Sequence, residues 1–175
     1  NEYKDINICF ILSAFSQIGN CFADNFLENN EAEKARIDIL QKIKKLKKCK
    51  ITLKPRDGSF IINNKKNFYN KFKILENKTR MYEIFGNHDI VIFERLSLGI
   101  AESIHLNQPT IFYYPKYLYK QKNKKYNELL TCLKKSSIYF DDKKKIYELL
   151  KSKKNIFQWW NEKKNQKNRK IFIKK

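Results

Sequence analysis

The sequence predicts an α/β protein: a doubly wound, mostly parallel, Rossmann-like sheet with helices on both faces. Short apolar runs, among them INICFILSA, DIVIFE and PTIFYYP, read as strands buried on both faces. Helical patterns with apolar residues every three or four positions separate them. Runs and helices alternate in the order β-α-β-(β)-α-β-α-β-α-β-α, which implies strands covered on both sides.

Each element has its own signal. Residues 6–14 form the first strand, and FSQIGN follows as a polar turn. Ala32, Ala35, Ile39, Ile43 and Leu46 recur at helical spacing across 29–48. CKITLKP is a short strand closed by Pro55 and by the Asp57-Gly58 turn signal. SFIINNKKNFYNKF is ambiguous, and FKILE is a third, short strand. NKTRMYEIFGNH is a short helix ending near Gly86, with Asn77 or Thr79 as its cap.

DIVIFE is the central strand. SLGIAESIHLN is a helix capped by Ser97 and ending at Asn107, before Pro109. PTIFYYP is the next strand, and KKYNELLTCLKKSS an amphipathic helix with Tyr126, Leu129, Leu130 and Leu133 on one face. IYF is a brief strand. The acidic start of DDKKKIYELLKSKKNIFQWW suits a helix N-terminus. A basic helical segment over 156–175 closes the chain, packing back on a single domain that spans 1–175.

Composition limits the function. The chain has 175 residues, of which 42% are hydrophobic, with 4 Gly and 3 Pro, so it has a sizeable core and is no linker. No apolar run approaches the roughly 20 residues of a membrane span. The N-terminal run lacks the basic start and cleavage site of a signal peptide. The chain starts at Asn1 without an initiator Met and reads as a piece of a longer protein, cytoplasmic in location. Cys9, Cys21, Cys49 and Cys132 form no CxxC pair, which fits free thiols in a reducing compartment. With 2 His, metal ligation has little support, and no metal or cofactor is expected.

The formal net charge of +20 admits two readings. One is a nucleic-acid or anionic-membrane partner. The other is base-composition bias, since Lys, Asn, Ile, Phe and Tyr share A/T-rich codons and all are over-used. The basic residues are dispersed in runs such as KIKKLKKCK and KQKNKK. A nucleic-acid partner is therefore disfavoured, while a preference for a phosphate-bearing ligand survives.

In a doubly wound sheet, ligands bind outside the strands' carboxyl ends, where helix N-termini present unpaired N–H groups. The residues there are Ser13 and Ser16 after the first strand, and Lys54 and Arg56 after the second. Glu94, Arg95, Ser97 and Gly99 follow the central strand, with Glu102 one turn in, where a carboxylate favours the helix dipole. The hydroxyls, cations and bare amides gathered there suit a phosphate. Each also has a structural alternative: capping for Ser97, close packing for Gly99. There is no GxGxxG, no P-loop and no GxSxG elbow. His88 reads as a turn residue, and Trp159 and Trp160 as packing anchors.

DIVIFERLSLGIAESIHLNQPTIFYYP resembles the donor-site segment of GT-B glycosyltransferases: strand, Ser/Gly-bearing helix start, Glu, Pro, strand. CKITLKPRDG lies where such families carry a basic or His-Pro turn. FQWWNEKKNQKNRKIF resembles the Trp-Trp helix of a bacterial sugar-transferase-like family from surface-polysaccharide loci, itself related in pattern to transferases of sialic and other ulosonic acids. The resemblance implies a C-terminal, nucleotide-sugar-binding lobe, with the general base in an N-terminal lobe. Ser97 and Gly99 would then meet the donor phosphate, and Glu102 a ribose or sugar hydroxyl. Ser13 and Ser16 would line the pocket, while Lys54 and Arg56 offset the leaving-group charge. The implied partners are a nucleotide sugar and a glycan or lipid-linked acceptor. The basic C-terminal helix, with Trp159, Trp160, Ile171 and Phe172, could also touch the inner face of a membrane. This sequence has Ser97-Leu98 and Lys54 where the pattern has a Ser/Thr pair and a His.

Overall fold

The computed structural model describes residues 5–12, 26–55, 66–76, 78–118 and 124–173, excepting the side chains of 26–30, 66, 116, 124–126 and 171–173. Among the described residues, six strands form one sheet: β1 (Ile6–Ile11), β2 (Cys49–Lys54), β3 (Lys73–Ile74), β4 (Ile90–Phe93), β5 (Thr110–Tyr113) and β6 (Tyr139–Phe140). Their order is β3-β2-β1-β4-β5-β6, and every pairing is parallel. The helices are α1 (Phe26–Lys44), α2 (Lys66–Tyr69), α3 (Met81–Asn87), α4 (Leu98–His105), α5 (Lys124–Lys135), α6 (Lys143–Leu149), α7 (Lys153–Asn161) and α8 (Lys163–Ile173). A 3₁₀ turn spans Lys116–Leu118.

The sheet separates two cores because side chains alternate along each strand. Ile6, Ile8, Phe10 and Leu12 join Ile90, Ile92, Ile111 and Tyr113 on one face, under Ile39, Leu40 and Ile43 of α1 and Ile146 of α6. Cys9, Val91, Phe93 and Phe112 take the other face, under Ile84 of α3, Ile100 and Ile104 of α4, and Leu130 and Leu133 of α5. All four residues of β4 and of β5 are buried, which is why those strands read as continuous apolar runs.

Helix α7 runs across the amino ends of the strands. Lys153 Nζ donates to Asp89, just before β4, at 2.7 Å. Trp159 Nε1 donates to the Ser137 carbonyl at 3.0 Å, and Trp160 Nε1 to Asn107 Oδ1 at 2.9 Å. Both tryptophans are packing anchors, as the sequence suggests. Arg169 of α8 stacks its guanidinium 3.8 Å from the Trp160 ring centroid and donates to the Trp160 carbonyl.

Several boundaries differ from expectation. The first helix starts earlier and ends at Lys44, not residue 48. The ambiguous stretch contains the short helix α2, and β3 shrinks to two exposed residues at the sheet edge. Thr79 does not cap α3: Arg80 does, its N–H donating to Glu83 at 3.4 Å, while Asn77 lies outside the described residues. Leu129 is exposed, because the buried stripe of α5 runs through Leu130 and Leu133 and position 129 lies at its edge. The helix after β6 breaks in two: Asp142 caps α6 and Ser152 caps α7, each with a side-chain bond to a backbone N–H.

Candidate functional site

The strand order reverses between β1 and β4. From β1 the chain moves through α1 to β2, and from β4 through α4 to β5, in opposite directions along the sheet. Right-handed crossovers then place α1 and α4 on opposite faces, leaving a crevice above the carboxyl ends. A cleft of about 890 Å³ opens there, and five sequence-predicted residues line it: Lys54, Arg95, Ser97, Gly99 and Glu102.

Lys54 ends β2, in register with Ile11 of β1, whose other neighbour in the row is Phe93 of β4. Only 6% of it is exposed, and its Nζ donates to the Pro55 carbonyl at 2.9 Å. Its charge bears on Cys9, whose thiol burial pushes up to about 12 against the opposing pull of Lys54. Arg95 is exposed in the bend after β4. Ser97 is the N-cap of α4, with extended backbone (φ −151°, ψ 161°), yet its side chain makes no capping hydrogen bond. The Leu98 and Gly99 amides that open α4 have no intrahelical acceptor, whereas the Ile100 N–H donates to the Ser97 carbonyl at 3.1 Å, so two donors and the positive dipole end stand at the crevice. Gly99 packs against β4: a Cβ there would lie 3.0 Å from Phe93 Cε1. Glu102 is the fifth residue of α4, beyond its first turn, so the dipole reading of this carboxylate does not hold.

Ser13, Ser16 and Arg56 lie outside the described residues. Tyr113 points into the core beneath α1. Tyr114 spends its hydroxyl on the Leu118 carbonyl at 2.9 Å. Three groups that sequence reasoning passed over complete the cleft: Lys78, Arg80 and Tyr82, at the approach to α3. All are exposed, Tyr82 by 61%, as are Leu98 and Leu106 on the α4 wall, so the cleft pairs a cationic side with an apolar one. The KTRMY stretch holds that signal in its two cations and its tyrosine.

Behind the cleft sits a buried ion pair. Arg36 Nε donates to Glu94 Oε2 at 2.8 Å, and Arg36 Nη2 donates to Glu94 Oε1. The side chains are 3% and 10% exposed. Burial works against the Arg36 charge, and the neighbouring Glu94 carboxylate more than offsets it, raising the guanidinium pKa.

A second cavity, of about 830 Å³, lies beside β2 and β3 and is lined by Asn7, Cys49, Lys50, Lys71, Lys73 and His88. Asn7 and Cys49 mark the amino ends of their strands, the wrong end of a parallel sheet for a ligand crevice. Among the described residues, no three His, Cys, Asp or Glu side chains form a metal-binding group, and no helix is long and apolar enough to cross a membrane.

An all-parallel sheet among the described residues, with a cationic crevice at its switch point, defines a Rossmann-like α/β fold. The chain belongs to a family of transferases, described as the LIC12162 family transferase, whose model matches residues 2–175. Among solved structures it is similar to the spinosyn rhamnosyltransferase SpnG complexed with thymidine diphosphate, with a TM-score of 0.52 at 9% identity. That likeness covers 99% of this chain and 42% of SpnG; it shows a shared fold, and the chain spans less than half of that enzyme's length. No curated protein matches the chain in sequence.

Proposed function

We propose that this chain is the donor-binding lobe of a nucleotide-sugar-dependent glycosyltransferase. The observation that carries the reading is the start of α4. Ser97 stands at the N-cap with its hydroxyl not spent on capping, the first helical amides face the crevice, and Lys54 and Arg95 line the same cleft. Two further findings support it: the chain's transferase family, and a fold neighbour whose structure holds thymidine diphosphate.

On this reading the donor's phosphates sit at the α4 N-terminus, where N–H groups and dipole favour an anion. Lys54 and Arg95 offset the charge that grows on the phosphate as the glycosidic bond breaks, without a metal ion. A buried cation is effective there because its charge is poorly screened. Glu102 accepts a hydrogen bond from a ribose or sugar hydroxyl. The acceptor, a glycan or lipid-linked sugar, and the general base belong to a second lobe. The setting is surface-polysaccharide or glycoconjugate synthesis, which rests on the sequence resemblance.

Contact with an anionic membrane face is a subsidiary part of the proposal. It rests on charge, because Trp160 is buried and Trp159 half-buried, whereas Lys163, Lys164, Lys167 and Lys170 of α8 are exposed.

The test is a thermal-shift panel of CMP, UDP, GDP and thymidine diphosphate. At least one nucleotide raises the melting temperature, and Lys54→Ala weakens that shift. No shift with any of the four at millimolar concentration contradicts the reading.

A further inference from the structure

We infer that the Arg36–Glu94 pair is a positioning device for the donor crevice: it ties α1 to the end of β4 and thereby sets where the α4 N-terminus stands. The inference rests on the donor-seat reading above and adds to it two residues that do not line the cleft.

Glu94 directly follows Phe93, the last residue of β4, and Arg95, Leu96 and Ser97 lead straight into α4. Phe93 faces the α4 side of the sheet. By strand alternation Glu94 faces the α1 side, where Arg36 meets it with two hydrogen bonds. The partners are 58 residues apart in sequence. Helices α1 and α4 lie on opposite faces, so packing between them cannot fix the β4–α4 turn relative to α1. The pair does so from beneath, at the switch point itself.

Stability alone does not account for it. A buried ion pair loses hydration on both groups, and apolar residues of similar volume are often as stable or more so. Apolar filling suits this face, where Leu12, Ile39 and Leu40 are all at most 1% exposed. A planar guanidinium forked onto a carboxylate fixes distance and orientation together, which two apolar side chains do not. Phosphate binding at a helix N-terminus depends on that placement, since a shift on the order of 1 Å costs up to about a hundredfold in function.

The experiment compares the wild-type chain with the double variant Arg36→Met/Glu94→Leu, reading the melting temperature and the Kd for the nucleoside phosphate that the wild type binds. Arg36 also interacts with Tyr69, so the melting temperature is expected to fall modestly, while Kd increases about tenfold or more. An unchanged Kd overturns the inference whatever the melting temperature does, because a merely structural pair moves stability and leaves binding alone. If the double variant does not fold, Arg36→Lys decides. It keeps the charge and loses the fork, so weaker binding supports positioning and an unchanged Kd overturns it. Failure of the wild type to bind any nucleotide is a different outcome. It removes the donor-seat reading itself, and this inference with it.

Discussion

Gly99 of α4 lies against the ring of Phe93 in β4, so close that a Cβ on the glycine would stand 3.0 Å from Cε1 and 3.3 Å from Cζ. The helix that opens the crevice is thus seated on its strand through a missing side chain. Gly99→Ala forces the ring or the helix to give way. The expected cost is about 1–3 kcal/mol, the usual range for overpacking, read from the denaturation midpoint at constant slope. Trimming the other partner in Gly99→Ala/Phe93→Leu should recover part of the loss. An alanine variant as stable as wild type would mean that the contact is looser than the structure shows.

Ser97 offers a sharper separation. A serine at an N-cap usually contributes about 1 kcal/mol through its side-chain bond. This one makes none. Ser97→Ala should therefore change stability by less than about 0.5 kcal/mol. Nucleotide affinity should fall by the equivalent of one hydrogen bond, about 0.5–1.5 kcal/mol. Calorimetric titration beside a melting curve reads both. A large loss of stability with unchanged affinity would return Ser97 to a capping role.

Cys9 sets an alkaline limit. Burial raises its folded-state thiol from an ordinary 9.0 to about 12, and it raises Cys49 to about 11. The folded state therefore keeps protons that the unfolded state releases. That contribution is complete below pH 9.0 and is lost as pH climbs through the window to about 12. The loss from Cys9 approaches about 1.4 kcal/mol per pH unit. Subtracting the pH–stability curve of Cys9→Ala from that of wild type should isolate this slope. Parallel curves would contradict it.

Trp160 should be the costliest residue to truncate in the C-terminal segment. It is 2% exposed, donates to Asn107 and carries the Arg169 guanidinium on its face. Trp160→Ala is expected to cost about 3–5 kcal/mol. Asn107 holds a left-handed backbone at φ 55°, which Asn tolerates and a β-branched residue does not. Asn107→Gly loses the side-chain acceptor of Trp160 but keeps the backbone carbonyl, which also accepts from Trp160 Nε1 at 3.1 Å, so it should destabilise less than Asn107→Val, both measurable by chemical denaturation.

The sheet was legible because its central strands are buried on both faces, so Ile90–Phe93 and Thr110–Tyr113 carry no polar alternation to confuse them. Strand β3 was less so: Lys73 and Ile74 are exposed at an edge, where composition is unconstrained. The break between α6 and α7 was missed because the apolar pattern runs through Leu150. Ser152, which caps α7, was the local signal. At the site, position after a strand placed Lys54, Arg95, Ser97, Gly99 and Glu102 in one cleft. The burial of Lys54 was not foreseen, since a lysine in so basic a chain reads as surface. Arg36 was invisible for the same reason: a charge on an amphipathic helix looks solvated until the fold brings Glu94 against it.

The central claim is that a nucleotide's phosphates sit at the start of α4. The most direct measurement is a structure of the chain with the nucleoside phosphate that stabilises it most. The expected result places phosphate oxygens within hydrogen-bond distance of the Gly99 N–H and the Ser97 hydroxyl, with Lys54 or Arg95 alongside. A phosphate seated instead in the cavity bounded by Lys50, Lys71 and Lys73, with the α4 N-terminus empty, would contradict it.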